Sequence, residues 1–135
     1  MEDFVTFEIA LKLKEKGFIE ECIAYYHTDG ELLYNRDQYR GGDYKSLLRS
    51  YNSLPKNPIG CEQIDAPTTS QVLKWLREEK NIILTPNPSY FKEDCCLGWD
   101  CDVWICGNYI HCCEDYKIYE EAAIAGIEYV LDDLI

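Results

Sequence analysis

The chain has 135 residues, of which 47% are hydrophobic, so it is long enough to bury a core without disulfides or metal and too apolar to be disordered throughout. Its net charge of −12 is concentrated in residues 93–135, which contain 11 acidic side chains and one lysine. Such a segment repels phosphate groups. This argues against nucleic-acid binding, and against docking on an anionic membrane, through this half of the chain.

The N-terminal residues and the hydropathy of the chain predict a cytoplasmic protein. Residues 1–4 read Met-Glu-Asp-Phe, whereas a secretory signal peptide starts with basic residues and continues with an unbroken apolar run. No segment approaches the roughly 20 apolar residues that a membrane-spanning helix needs. Because cytoplasmic thiols stay reduced, the eight cysteines are expected to be free.

The first element is predicted to be a helix over residues 5–16. Gly17 is expected to end this helix as a C-terminal cap, with Phe18 making the hydrophobic contact that often accompanies such a cap. The predicted stripe contains Phe7, Ala10, Leu11 and Lys14, widened by Ile9 and Leu13, and the carbon chain of Lys14 is expected to cover its edge.

A β-hairpin is predicted next. Asp-Gly at positions 29–30 separates two apolar runs, residues 22–27 and 32–34, and this arrangement is typical of a tight turn between two strands. Residues 35–65 contain two prolines and adjacent glycines that break any periodic pattern. We interpret them as an ordered surface loop or an insertion.

The clearest local signal is a second helix that begins after Thr68. Thr68 is followed three residues later by Gln71, which is a capping box, and the predicted helix ends at Asn81. The predicted buried stripe contains Val72, Leu73, Trp75 and Leu76. A strand is predicted at residues 82–85, and the two prolines that follow either end this strand or confine it to the edge of a sheet.

The cysteine-rich segment is predicted to form a second hairpin, with strands at residues 102–106 and 109–113 joined by a type II′ turn at Gly107-Asn108. A last helix is predicted over residues 118–134. Its predicted buried face contains Ala123, Ile127, Val130 and Leu134. Together the elements predict an α+β fold of two layers, an antiparallel sheet of hairpins packed against about three helices, in a single domain that spans the whole chain.

Three segments together resemble a known group of proteins. They are residues 10–18 (ALKLKEKGF), residues 66–82 (from APT to WLREEKNI) and residues 119–131 (from YEEA to AGIEYVL). In this order they resemble small uncharacterised proteins encoded by gut Bacteroidales genomes and by the phages and mobile elements in them. The resemblance covers about a third of the chain and implies a mobile-element context without an activity. The cysteine-rich hairpin departs most from the pattern of that group.

The cysteines leave two interpretations open. Six of the eight lie between residues 95 and 113, but adjacent pairs and gaps of five or six residues do not match the close pairs of structural zinc sites. One interpretation treats them as small apolar residues of a reduced protein. The alternative is a metal-binding or redox protein that uses the hairpin, with zinc held by Cys101, Cys106, His111 and Cys112.

No catalytic residue is predicted. The chain contains no Gly-x-Ser-x-Gly, no His-Glu-x-x-His and no phosphate-binding glycine loop, and no cofactor is implied. Paired carboxylates at the helix ends are interpreted as solvated termini. An enzyme of an unrecognised type stays as a third alternative, and it requires a concave pocket with convergent polar groups.

The acidic C-terminal half is the predicted functional region. Asp132 and Asp133 lie in the last turn of the last helix, where negative charge opposes the helix dipole, so we infer a use other than stabilising the helix. The predicted partner-binding residues are Glu128, Asp132, Asp133 and Trp99, the last of which is expected to be exposed. The leading hypothesis is a non-enzymatic accessory protein of a phage or mobile element that acts through protein contacts of this half. A basic partner and mimicry of nucleic acid are its narrower versions, a solvated face that aids solubility is the simpler interpretation of the charge, and a homodimer stays an alternative.

Overall fold

The structure is a computed structural model that describes residues 4–35, 48, 50–52, 63–90 and 97–135, with backbone alone for residues 89, 90 and 97. The described residues form three α-helices and two three-stranded antiparallel sheets. Helices contact both sheets. The predicted α+β class, with antiparallel hairpins packed against helices, is confirmed.

The chain divides into two compact units, residues 2–68 and residues 69–135. Each unit contains its own three-stranded sheet. The single domain stays a prediction, because two compact units can belong to one folding unit or to two. The predicted loop or insertion at residues 35–65 lies mostly outside the described residues.

The first unit combines one helix with short strands. In chain order its elements are α1 (Phe7–Glu15), β1 (Ala24–Tyr26), β2 (Leu32–Tyr34) and β3 (Ile64–Asp65). The strand order is β2-β1-β3, with every neighbouring pair antiparallel. α1 contacts β3.

Both ends of α1 follow from local hydrogen bonding. At its start, the Thr6 hydroxyl accepts a hydrogen bond from the Ile9 N–H at 3.3 Å. At its end, the Phe18 N–H donates to the Leu13 carbonyl at 3.0 Å, and Gly17 adopts a φ of 89°. This is a Schellman ending with a buried hydrophobic residue after the glycine, so the predicted cap is confirmed.

The buried face of α1 differs from the predicted stripe. Ile9, Ala10 and Leu13 are buried, whereas Leu11 is 37% exposed. The prediction was wrong at Leu11, because that residue lies on the side of the helix opposite to these three.

The first hairpin is confirmed, and Gly30 shapes its loop. Tyr26 pairs with Leu32 across the two strands. The Gly30 N–H donates to the His27 carbonyl at 2.8 Å, and Gly30 has a φ of 91°. Glycine adopts this backbone conformation at little cost, which explains the Asp-Gly signal in the sequence.

The second unit contains two further helices around a larger sheet. In chain order its elements are α2 (Thr69–Lys80), β4 (Ile82–Tyr90), β5 (Leu97–Ile105), β6 (Asn108–Tyr116) and α3 (Tyr119–Tyr129), and α3 continues into a π-helical turn (Val130–Leu134). The strand order is β4-β5-β6, and α3 contacts all three strands. The predicted second and last helices and the second hairpin are therefore present.

Local signals also explain β4 and the end of α2. Asn81 has a left-handed φ of 55° and separates α2 from β4. β4 extends through Pro86 and Pro88 and lies at the edge of the sheet, which is the second of the two predicted outcomes for these prolines. On α2, Leu73 is half-buried, while the other residues of the predicted stripe are buried.

The turn of the second hairpin is shifted by one residue from the prediction. Ile105 pairs with Asn108, so the loop residues are Cys106 and Gly107, with φ values of 50° and 84°. Positive φ at both positions is the pattern of a type I′ turn, whose twist matches that of the flanking strands. The predicted type II′ turn at Gly107-Asn108 was wrong because strand pairing places Gly107 second in the loop.

A glycine allows α3 to approach the sheet closely. The predicted face of α3 is buried at Ala123, Ile127 and Val130, whereas Leu134 is half-buried. Gly126 lies on the buried side, and a Cβ atom there would lie only 2.6 Å from the Sγ of Cys101. The helix backbone therefore rests on the sulfur of a fully buried cysteine in β5.

Candidate functional site

α3 presents a second stripe of side chains away from the core. Ile124 and Ala125 each lie three or four residues from both Glu121 and Glu128, so the four residues share one side of the helix. Together with Tyr116 of β6 they line a shallow, open depression of about 270 Å³. We call this depression the acidic hollow.

The acidic hollow has an apolar middle and charged ends. Ile124 and Ala125 are half-buried, whereas Glu121 and Glu128 are exposed. These two glutamates are seven positions apart in the sequence, which is about 10 Å along a helix. No lysine or arginine among the described residues forms an ion pair with either glutamate, so both carboxylates are available to a partner.

Tyr116 supplies a polar group at the side of the acidic hollow. Burial first, and then the neighbouring Cys113 and Glu128, raise the pKa of its phenol. The phenol therefore stays neutral and can donate a hydrogen bond. An apolar surface with one neutral donor and two carboxylates fits a basic side chain better than an anionic group.

One of the four predicted partner-binding residues lines the acidic hollow, and the other three lie in the π-helical turn that follows α3 and in β5. Glu128 lines the acidic hollow, and Asp132 and Asp133 are exposed in the following π-helical turn. Trp99 is half-buried instead of exposed, because its ring packs edge-to-face against Tyr119 with centroids 5.3 Å apart. Trp99 also pairs with Tyr116 across β5 and β6, which places it next to the hollow.

Sequence reasoning missed most of the lining of the hollow. Glu121 was interpreted as a solvated helix terminus, and Tyr116, Ile124 and Ala125 were not singled out. The spacing of Glu121 and Glu128 around two small or aliphatic residues was the available signal. The position of these α3 residues against Tyr116 of β6 depends on tertiary packing.

The structure does not bring the four candidate zinc ligands together. Cys101 is fully buried beneath α3, whereas Cys112 belongs to the opposite face of the sheet, because it pairs with the residue that follows Cys101. Cys106 is exposed in the turn, and His111 stacks on Tyr129 with centroids 4.2 Å apart. Within the described ranges, no group of three or more His, Cys, Asp or Glu residues is arranged to hold a metal ion.

Four of the described thiols, those of Cys22, Cys101, Cys112 and Cys113, have raised pKa values that favour the protonated form. Burial, followed by the hydrogen bond to Asp102, raises the pKa of Cys112 to about 12. Burial is also the main cause that raises the pKa of Cys101 to about 12 and raises the pKa values of Cys22 and Cys113. Because metal binding and nucleophilic attack both use the thiolate, these environments oppose either role.

Comparison with known proteins identifies no relative of this chain. No protein-family model, curated protein or solved structure matches the chain. The resemblance of the three segments to small proteins of Bacteroidales phages and mobile elements therefore stays a prediction. In the part of the chain that the structure describes, no helix has the length and apolar character needed to cross a membrane.

Proposed function

We propose that this chain is a non-enzymatic accessory protein of a phage or mobile element that binds a basic protein partner through its acidic C-terminal half. The observation that carries the proposal is the acidic hollow. Lysine and arginine combine an aliphatic stem with a cationic head. The stem can lie on Ile124 and Ala125 while the head reaches Glu121 or Glu128.

The shape of the hollow favours a protein contact over a small-molecule or catalytic site. Small-molecule pockets enclose roughly 300–1,000 Å³ and bury most of their ligand, whereas the hollow is open and holds about 270 Å³. Its exposed carboxylates add electrostatic steering, which speeds association with a basic surface. Two further exposed carboxylates, Asp132 and Asp133, follow Glu128 along the chain.

The alternative, a cysteine-based metal-binding or redox protein, has no observation in its favour. Its candidate ligands lie on different faces of the sheet, and the environments of the described thiols other than Cys106 oppose the thiolate. It therefore ranks below a protein-binding function.

The test is affinity capture from a Bacteroidales lysate with the full chain as bait. The double variant Glu121→Gln/Glu128→Gln should lose the partner, while the matched control Glu78→Gln/Glu79→Gln, which removes two exposed charges from α2, should retain it. The partner should be basic, and its binding should weaken as salt is added. Retention by the first variant, equal loss from both variants, or capture of no partner would contradict the proposal.

A further inference from the structure

The side of the β4-β5-β6 sheet that faces away from α3 carries an ordered row of apolar side chains. Ile83, Trp104 and Tyr109 are cross-strand neighbours in three adjacent strands. Side chains alternate along a strand, and the neighbouring Leu84 and Val103 are buried, so the row belongs to the other face. Ile83 is 45% exposed and Tyr109 is 53% exposed. We call this side of the sheet the outer face.

The aromatic pair makes the apolar row a defined surface. The rings of Trp104 and Tyr109 pack edge-to-face, with centroids 5.3 Å apart and an interplanar angle of 74°. This contact fixes both rings in place. In the described part of the second unit, α3 contacts all three strands and α2 contacts β4, and Ile83 and Tyr109 stay accessible.

The next rows of the outer face carry oriented carboxylates. Asp102 Oδ2 accepts a hydrogen bond from Asn87 Nδ2 at 2.7 Å and a further one from the Cys112 thiol. Asp100 Oδ1 accepts one from the Asp115 N–H at 3.1 Å. All three donors are neutral, so they hold the carboxylates in place without cancelling their charge.

No ion pair neutralises these carboxylates within the described residues, because no lysine or arginine there pairs with Asp100 or Asp102. A fixed, uncompensated carboxylate next to two aromatic rings attracts a cation through its charge and through the ring faces. The arrangement is therefore complementary to a basic side chain.

We propose that the outer face is a second docking surface, which binds a partner segment that presents an apolar side chain and an arginine or lysine about 7 Å apart. This spacing is that of residues two apart in a strand, which is the separation of Trp104 and Asp102. The apolar side chain packs on Ile83, Trp104 and Tyr109, and the cation binds Asp102. The surface is separate from the acidic hollow, so the inference does not depend on the proposed function.

Charge decides between this occupant and a second copy of the chain. Two copies that met through their outer faces would bring the carboxylates of one copy against those of the other. Like charges in direct opposition destabilise such a contact. A basic partner instead gains from every carboxylate on the surface.

The test is an NMR titration of the isotope-labelled full chain with the synthetic peptide Leu-Ser-Arg-Ser-Leu-Ser-Arg, capped at both ends. The amide signals of Ile83, Trp104 and Tyr109 should shift. Peptides with glutamate in place of arginine, or serine in place of leucine, should bind at least about fivefold more weakly. Asp102→Asn should weaken binding at the outer face about fivefold, whereas Glu121→Gln/Glu128→Gln should leave the shifts of Ile83, Trp104 and Tyr109 unchanged.

Two further measurements keep the outcome decisive. Ile83→Ser changes an exposed residue of an edge strand, so the variant should fold normally and still bind the peptide more weakly. This variant tests the proposal even if Asp102→Asn is unstable. Equal binding of the arginine and glutamate peptides, or shifts confined to the acidic hollow, would overturn the proposal. So would the absence of any shift, or a dimer seen by sedimentation that Ile83→Ser abolishes.

Discussion

Replacing Gly126 by alanine is expected to destabilise the protein, although alanine is ordinarily the better residue inside a helix. In an open helix the change gains about 1 kcal/mol. Here the new Cβ would lie 2.6 Å from Cys101 Sγ and 3.4 Å from Leu84 Cδ1. The first distance is far inside van der Waals contact, and the sulfur is fully buried.

The magnitude follows from these two opposing terms. Inserting a methyl group into a packed core costs about 1–3 kcal/mol, which exceeds the helix-propensity gain. The free energy of unfolding of Gly126→Ala should therefore fall by up to about 2 kcal/mol. Urea unfolding followed by circular dichroism measures this change, and a lower denaturation midpoint at an unchanged slope identifies a loss of stability.

A double-mutant cycle isolates the sulfur contact. Cys101→Ala removes the Sγ atom and should by itself cost about 1 kcal/mol. In that background the nearest atoms to the new methyl are Leu84 Cδ1 at 3.4 Å and Cys101 Cβ at 3.5 Å, so Gly126→Ala should become neutral or stabilising. If Gly126→Ala costs the same in both backgrounds, or if it stabilises the wild-type chain, the close contact is not the reason for the glycine.

Three other predictions concern Asp65, Gly17 and the thiols. Burial raises the pKa of the Asp65 carboxyl to about 6, so the folded state binds the carboxyl proton more tightly than the unfolded state. The free energy of unfolding of the wild type, relative to that of Asp65→Asn, should therefore fall by roughly 2–3 kcal/mol as the pH rises from about 4 to about 6. A pH-independent difference would refute the assignment. Gly17→Ala should lower the free energy of unfolding by about 1 kcal/mol, because Gly17 has a φ of 89°; no change on thermal or urea unfolding would contradict this reasoning. Iodoacetamide at neutral pH should label the exposed Cys106 well before the buried Cys101, as followed by peptide mass spectrometry, and the reverse order would show that burial does not control reactivity.

Features decided by short stretches of chain could be predicted from the sequence. The Gly17 cap, the Asp-Gly loop that ends at Gly30 and the start of α2 after Thr68 each depend on residues within one helical turn or one loop. The prolines of β4 likewise restricted that strand to an edge.

Features decided by pairing between distant segments were wrong or were missed. The turn at Cys106 depends on the register of β5 against β6, and a shift of one residue changes both its position and its type. The separation of Cys101 from Cys112 comes from the same register and the alternation of side chains. The acidic hollow requires α3 to pack beside Tyr116, which helical spacing alone does not specify.

The two prolines in β4 also bear on how the protein behaves at high concentration. An exposed edge strand is a template on which a strand from another molecule can add, and such addition can continue into aggregates. Pro86 and Pro88 lack the backbone N–H that an incoming strand would need. The β4 edge of the sheet therefore resists templated growth by strand addition.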